Sequence, residues 1–149
     1  MNPQNISKQE FYILSLLHHT EKVSELESKL KLLIYILDRE QGENKINSYE
    51  KGDIGPEPID LQSNIESLLD KNLLFSKTKY TFGGYKREYY TITESGSTLV
   101  ENSAVNYYDV KKIHQLSKNI VDEYGDIPIS NFIEIVKKEN PRYFYEKSI

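Results

Sequence analysis

The apolar residues at the start of the chain keep a helical beat. Ser7-Lys8-Gln9-Glu10 has the spacing of a capping box, with Ile6 and Phe11 placed as a hydrophobic staple. It predicts a first helix through about His19, with Phe11, Leu14 and Leu17 on the inward stripe. Ser24-Glu25-Leu26-Glu27 repeats the box and predicts a second helix through about Glu40. There Leu26, Leu30, Leu33, Ile34 and Leu37 keep helical spacing, but Leu32, Tyr35 and Ile36 make LKLLIYIL apolar almost all round. Such a helix must be covered on most sides, so it is either the central helix or part of a dimer interface.

The polar stretch REQGENKINSYEKGDIGPEP follows, with Pro56, Pro58 and three of the seven glycines; residues 45–49 read as a short strand within it. A third helix is predicted at about 59–71 with Leu61, Ile65, Leu68 and Leu69 inward, ended by Asn72. Then KYTFGGYKREYYTIT joins two tyrosine-rich runs through Gly83-Gly84, a hairpin of about 73–82 with 85–93. A two-residue type I′ turn at the glycines sets Phe75 opposite Ile92 and turns both, with Tyr90, to the core; Arg87 then faces Tyr80. Thr93 caps a fourth helix at about 94–102. A fifth, about 107–124, carries Val110, Ile113, Ile120, Val121 and Tyr124, with Gly125 as its C′ residue. A last helix opens at Pro128 or Ser130 and runs to about Lys138, with Pro141 as its stop.

This order predicts an α+β, mostly helical chain: a winged helix-turn-helix of three helices and a two-stranded hairpin, with further C-terminal helices. Residues 1–103 form the winged-helix unit. Residues 104–149 extend it, either packing on it or serving as a dimer arm.

Composition narrows the chemistry. With 149 residues, 38% hydrophobic and 28% charged, the chain is a globular domain with room for a core. No cysteine excludes disulfides and thiolate metal sites and fits a cytoplasmic protein; no apolar run approaches a membrane span. His18 and His19 are adjacent and His114 stands apart, so no metal or other cofactor is expected. Gly83-Gly84 lies between strands and lacks the Lys-Ser/Thr of a phosphate loop, and no nucleophile motif marks the chain as an enzyme.

Charge carries the functional reading. The net charge of −4 disfavours nucleic acid unless cations are segregated. They are: Lys77, Lys79, Lys86 and Arg87 against Glu88 leave residues 75–93 at +3. In a winged helix those four contact phosphates from the wing, although Lys on an edge strand also prevents aggregation. On the third helix Gln62 and Asn64 are suited to adenine edges, and Ser63 and Ser67 to phosphates. Yet Glu57, Asp60, Glu66 and Asp70 against Lys71 leave that segment at −3.

Several motifs, namely KLLIYIL at 31–37, Gly55-Pro56, the pattern from Leu61 to Leu74, and Thr91 to Gly96, resemble the YwgA-like and SocA-like (Panacea-domain) winged-helix proteins of bacteria, archaea and mobile elements. The C-terminal YGDIPISNFIEIVKKENPRYFYEKSI is similar to that group's tail, while Glu57-Pro58 and Asn72 depart from its usual Tyr-Ser and Gly. The resemblance implies a winged helix that is a DNA-binding regulator or an antitoxin-like or adaptor protein. The expectation is therefore a double-stranded-DNA-binding regulator, homodimeric; the alternative is a module that holds a protein partner without touching DNA.

Overall fold

The computed structural model describes residues 6–20, 25–80, 82–106 and 108–144. Helix α1 (Lys8–His18) starts as expected: the Ser7 hydroxyl accepts from the Glu10 N–H and the Glu10 carboxylate from the Ser7 N–H, both at 3.1 Å. Ser24 lies outside the described residues. Glu25–Leu26 form a short strand, β1, and α2 (Glu27–Gln41) begins only after it. The backbone there is drawn into a sheet rather than into the helical turn that a capping box at Ser24 would start.

Every residue of α2 from Leu32 to Asp38 is buried. Its cover comes from the same chain: α1 (whose Phe11 to Leu17 are all buried), β3, α5 and α6 pack around it. The apolar girth that raised a dimer interface is thus met internally. Burying leucines of this kind stabilises by about 1.5–3 kcal/mol each, so α2 is the axis of the core.

The connector holds more structure than its polarity announced. After a 3-10 turn at Gly42–Asn44, strands β2 (Tyr49–Gly52) and β3 (Gly55–Pro58) pair as an antiparallel hairpin closed at Gly52 and Gly55. The strand read at 45–49 therefore starts at its last residue. Gly55 sits at φ +126°, and a Cβ there would stand 2.6 Å from the Phe144 ring, so both backbone angle and space require glycine. Helix α3 (Leu61–Asp70) ends in a Schellman motif: Leu73 N–H bonds Leu68 C=O and Asn72 N–H bonds Leu69 C=O, both at 3.0 Å. Asn72 takes the left-handed position at φ +59°.

Strands β4 (Leu74–Tyr80) and β5 (Lys86–Ile92) form the second hairpin, and β1 adds to its far edge in the order β1-β5-β4. The pairing is Leu74 with Ile92 through Tyr80 with Lys86. That is one residue off the register a two-residue turn would set, because the connection spans residues 81–85. A slip of one exchanges the two faces. Leu74, not Phe75, joins Ile92 and Tyr90 in the core, and Phe75 is 44% exposed.

The Thr93 hydroxyl accepts from the Gly96 N–H at 3.0 Å and so caps α4 (Glu94–Asn106), which runs longer than its apolar spacing indicated. A Cβ on Gly96 would meet the Leu73 carbonyl at 2.5 Å, so α4 lies directly on the hairpin base. Helices α5 (Tyr108–Tyr124) and α6 (Ile129–Glu139) follow, the latter with Pro128 at its N-cap position; a 3-10 turn at Pro141–Tyr143 leads Phe144 to a parallel bridge with Gly52.

Candidate nucleic-acid interface

Alternation along β4 and β5 sorts the hairpin side chains onto two faces. One carries Leu74, Ser76, Thr78 and Tyr80 opposite Ile92, Tyr90, Glu88 and Lys86. Its base is core, and burial, then the Glu27 and Glu88 carboxylates, push the Tyr90 hydroxyl up to about 12, so it stays protonated. Farther out, Glu88 accepts from the Thr78 hydroxyl at 3.0 Å and lies 3.5 Å from the Lys86 ammonium.

The other face carries Phe75, Lys77 and Lys79 opposite Thr91, Tyr89 and Arg87. It holds three cations and no carboxylate among those six. Lys79 lies over the Tyr89 ring at 4.9 Å, which replaces the Arg87–Tyr80 contact expected from the shorter turn. Of the four wing cations read from the sequence, Lys77, Lys79 and Arg87 thus share a surface, and Lys86 is turned away and paired.

The tip adds rings. Among the described residues five large apolar side chains are exposed, and four of them (Phe75, Tyr80, Phe82 and Tyr85) belong to this hairpin. Charge counting passed over them. Their signal was the tyrosine-rich run itself, which sterically ordinary strands do not need at solvent-facing positions.

Helix α3 presents a different surface. Gln62 and Ser63 are exposed, but Gln62 donates to Glu66 at 3.3 Å and Ser63 to the Asp60 carbonyl at 3.0 Å. Asn64 and Ser67 point back at α1: Asn64 donates to Gln9 at 3.1 Å and Ser67 to Glu10 at 2.9 Å. Lys71, the segment's cation, donates to the same Glu10 at 3.1 Å. Burial alone would raise the Glu10 pKa, but the Ser7 N–H, Lys71 and Ser67 together hold it below the usual range. One carboxylate therefore caps α1 and ties α3 down. The exposed remainder of α3 carries Glu66 and Asp70, with Asp60 just before it.

Two other clusters stand apart. His18, His19 and His114 bring their rings within 4.7–5.4 Å of one another where α1 meets α5, yet no group of His, Asp or Glu among the described residues is placed to hold a metal ion. A cleft of about 140 Å³ is lined by Tyr35, Asp38, Tyr49 and Tyr143 with Arg39, Lys45 and Arg142. Asp38 is spent on its neighbours and Arg39 on Glu139. No helix among the described residues is long and apolar enough to cross a membrane.

Comparison of the chain with protein-family models, curated proteins and solved structures finds no match. The likeness to the Panacea-domain proteins rests on the sequence motifs alone.

Proposed function

We propose that the chain is a winged-helix, nucleic-acid-binding protein, a small transcriptional or mobile-element regulator, whose hairpin is the contact surface. In this reading α1, α2 and α3 are the helical triad, and β4–β5 is the wing. The observation that carries it is the face on which Lys77, Lys79 and Arg87 stand together with no carboxylate. Lys and Arg on such a face neutralise backbone phosphates and release the counterions condensed on them. In this reading helix α3 does not supply base readout: Asn64 and Ser67 are bonded to α1, and the exposed Gln62 and Ser63 are bonded to Glu66 and Asp60 beside the acidic Asp70.

The test is a titration of the protein with duplex DNA at several salt concentrations, beside a Lys79→Glu, Arg87→Glu double variant. Wild type should bind with an affinity that falls with salt, and the variant should lose affinity and about two units of log–log slope. Absence of binding to duplex or single strands at low salt, with both proteins folded, refutes the reading. The acidic face of α3, with Ile59 exposed beside it, favours the second reading, a module that holds a basic protein partner.

A further inference from the structure

We infer that the hairpin takes single-stranded nucleic acid in preference to a duplex; this rests on the nucleic-acid reading above and names its substrate class. A duplex rewards cations, because its bases are already stacked on one another and only phosphates and groove edges are offered. Unpaired bases reward rings as well, because any base has a free π-face to lay on an aromatic side chain. The hairpin offers both, side by side.

The rings are placed where folding does not need them. Phe82 is fully exposed, and Tyr80 and Tyr85 are each 72% exposed. The Tyr85 ring lies against Gly83, where a Cβ would stand 3.1 Å from it. Phe75 is the fourth ring, at the base of the cationic face. Between base and tip stand Lys77, Lys79 and Arg87. Side chains on one face of a strand recur about every 6.7 Å, a spacing close to that of successive nucleotides in an extended strand. A backbone running along Lys77 and Lys79 therefore brings its bases to Phe75 on the same face at one end and to Phe82 and Tyr85 in the turn at the other, while Tyr80 stands on the opposite face.

The duplex is opposed by the rest of the molecule. A winged helix that docks on a duplex brings its third helix to the major groove, and here that helix would set Glu66 and Asp70 against two phosphate rails. A single strand laid along the hairpin need not approach α3.

The experiment is fluorescence anisotropy at one salt concentration with three probes of about 20 nucleotides and mixed sequence: a DNA strand, the same strand as RNA, and the DNA duplex. Wild type should bind one or both single strands at least about tenfold more tightly than the duplex. Phe82→Ala should cost about fivefold or more on the strand, the low end for one stacked base, and bring the strand-to-duplex ratio down. The far-UV spectrum and midpoint of unfolding confirm that this exposed substitution leaves the fold intact. A preference for either sugar supports the inference and identifies the source of the strand. Equal or tighter binding to the duplex, or a Phe82→Ala ratio equal to wild type, overturns it while leaving the nucleic-acid reading in place. Binding to none of the three probes overturns both.

Discussion

Asp38 is the residue whose removal should be felt most widely. It sits in the last turns of α2, 2% exposed, and its carboxylate accepts from the Ile46 N–H at 3.0 Å, from the Asn47 amide at 2.9 Å and from the Tyr49 hydroxyl. Attachments at residues 46, 47 and 49 hold the segment that leads into β2. Burial first, and then the Asp38 carboxylate, raise the Tyr49 pKa, which keeps its hydroxyl a donor at any ordinary pH. In Asp38→Ala the Ile46 N–H and the Asn47 amide lose their acceptor, and the Tyr49 hydroxyl keeps only the Ile34 carbonyl at 3.4 Å. An orphaned buried donor costs about 1–3 kcal/mol; Asn47 is buried, whereas Ile46 and Tyr49 are half-buried and recover part of the loss from water. The sum is about 3–4 kcal/mol, a large share of the 5–15 kcal/mol of an ordinary domain. With an m-value of about 2 kcal/mol/M, the urea midpoint should fall by about 1.5–2 M. Asp38→Asn keeps one acceptor oxygen and should fall between. Tyr49→Phe removes one donor and leaves the carboxylate two partners, so it should cost about 1 kcal/mol. If Asp38→Ala unfolds within about 0.5 kcal/mol of wild type, the carboxylate is not what fixes this segment.

The hairpin register gives a paired test: Leu74→Ala should destabilise by about 2–5 kcal/mol in urea and Phe75→Ala by less than about 1, and equal losses would contradict the pairing of Leu74 with Ile92. The histidine cluster predicts a pH dependence. Burial, then His114 and His18, depress the His19 pKa from 6.5 to about 4, and burial with His18 lowers His114; Glu101, Asp122 and Lys118 are the other charges acting there. A depressed histidine contributes stability above pH 6.5 that is lost as pH falls toward 4, because the unfolded chain takes up the proton first. Discounted for partial exposure, His19 should cost about 1 kcal/mol between about pH 7.5 and 5, or about 2–4 °C in Tm. His19→Leu should show less of this fall, and identical falls in both proteins would refute it.

Most of the helical frame was legible from residues 7 to 139 because the helices carry apolar spacing and, α2 apart, an end signal as well. Ser7 with Glu10, Thr93 before Gly96 and Asn72 after Leu69 are local chemistry, and local chemistry survives into the fold. What escaped depends on partners distant in sequence. Glu25–Leu26 are a strand because β5 offers an open edge more than 60 residues later, and no pattern within two residues shows that. β2 and β3 are too short and too polar to alternate, and they are held by α2 and by Phe144. The hairpin register failed on one assumption, that two adjacent glycines are the whole turn, and that single residue put Leu74 rather than Phe75 in the core. On the candidate surface, charge counting found Lys77, Lys79 and Arg87. It missed that Asn64 and Ser67 are held by α1, since Gln9 and Glu10 lie more than 50 residues from their partners.

The seat of Phe144 on Gly55 sets a timetable for making the protein. Its ring occupies the space a side chain at residue 55 would fill, and its backbone bridges Gly52. At about 5–20 residues per second, residue 144 is added roughly 4–18 s after residue 55. For that interval a growing chain carries the β2–β3 hairpin with its glycine-lined side open. The cover for this hairpin thus comes from a residue made long after it, and native packing there must wait until synthesis has passed residue 144.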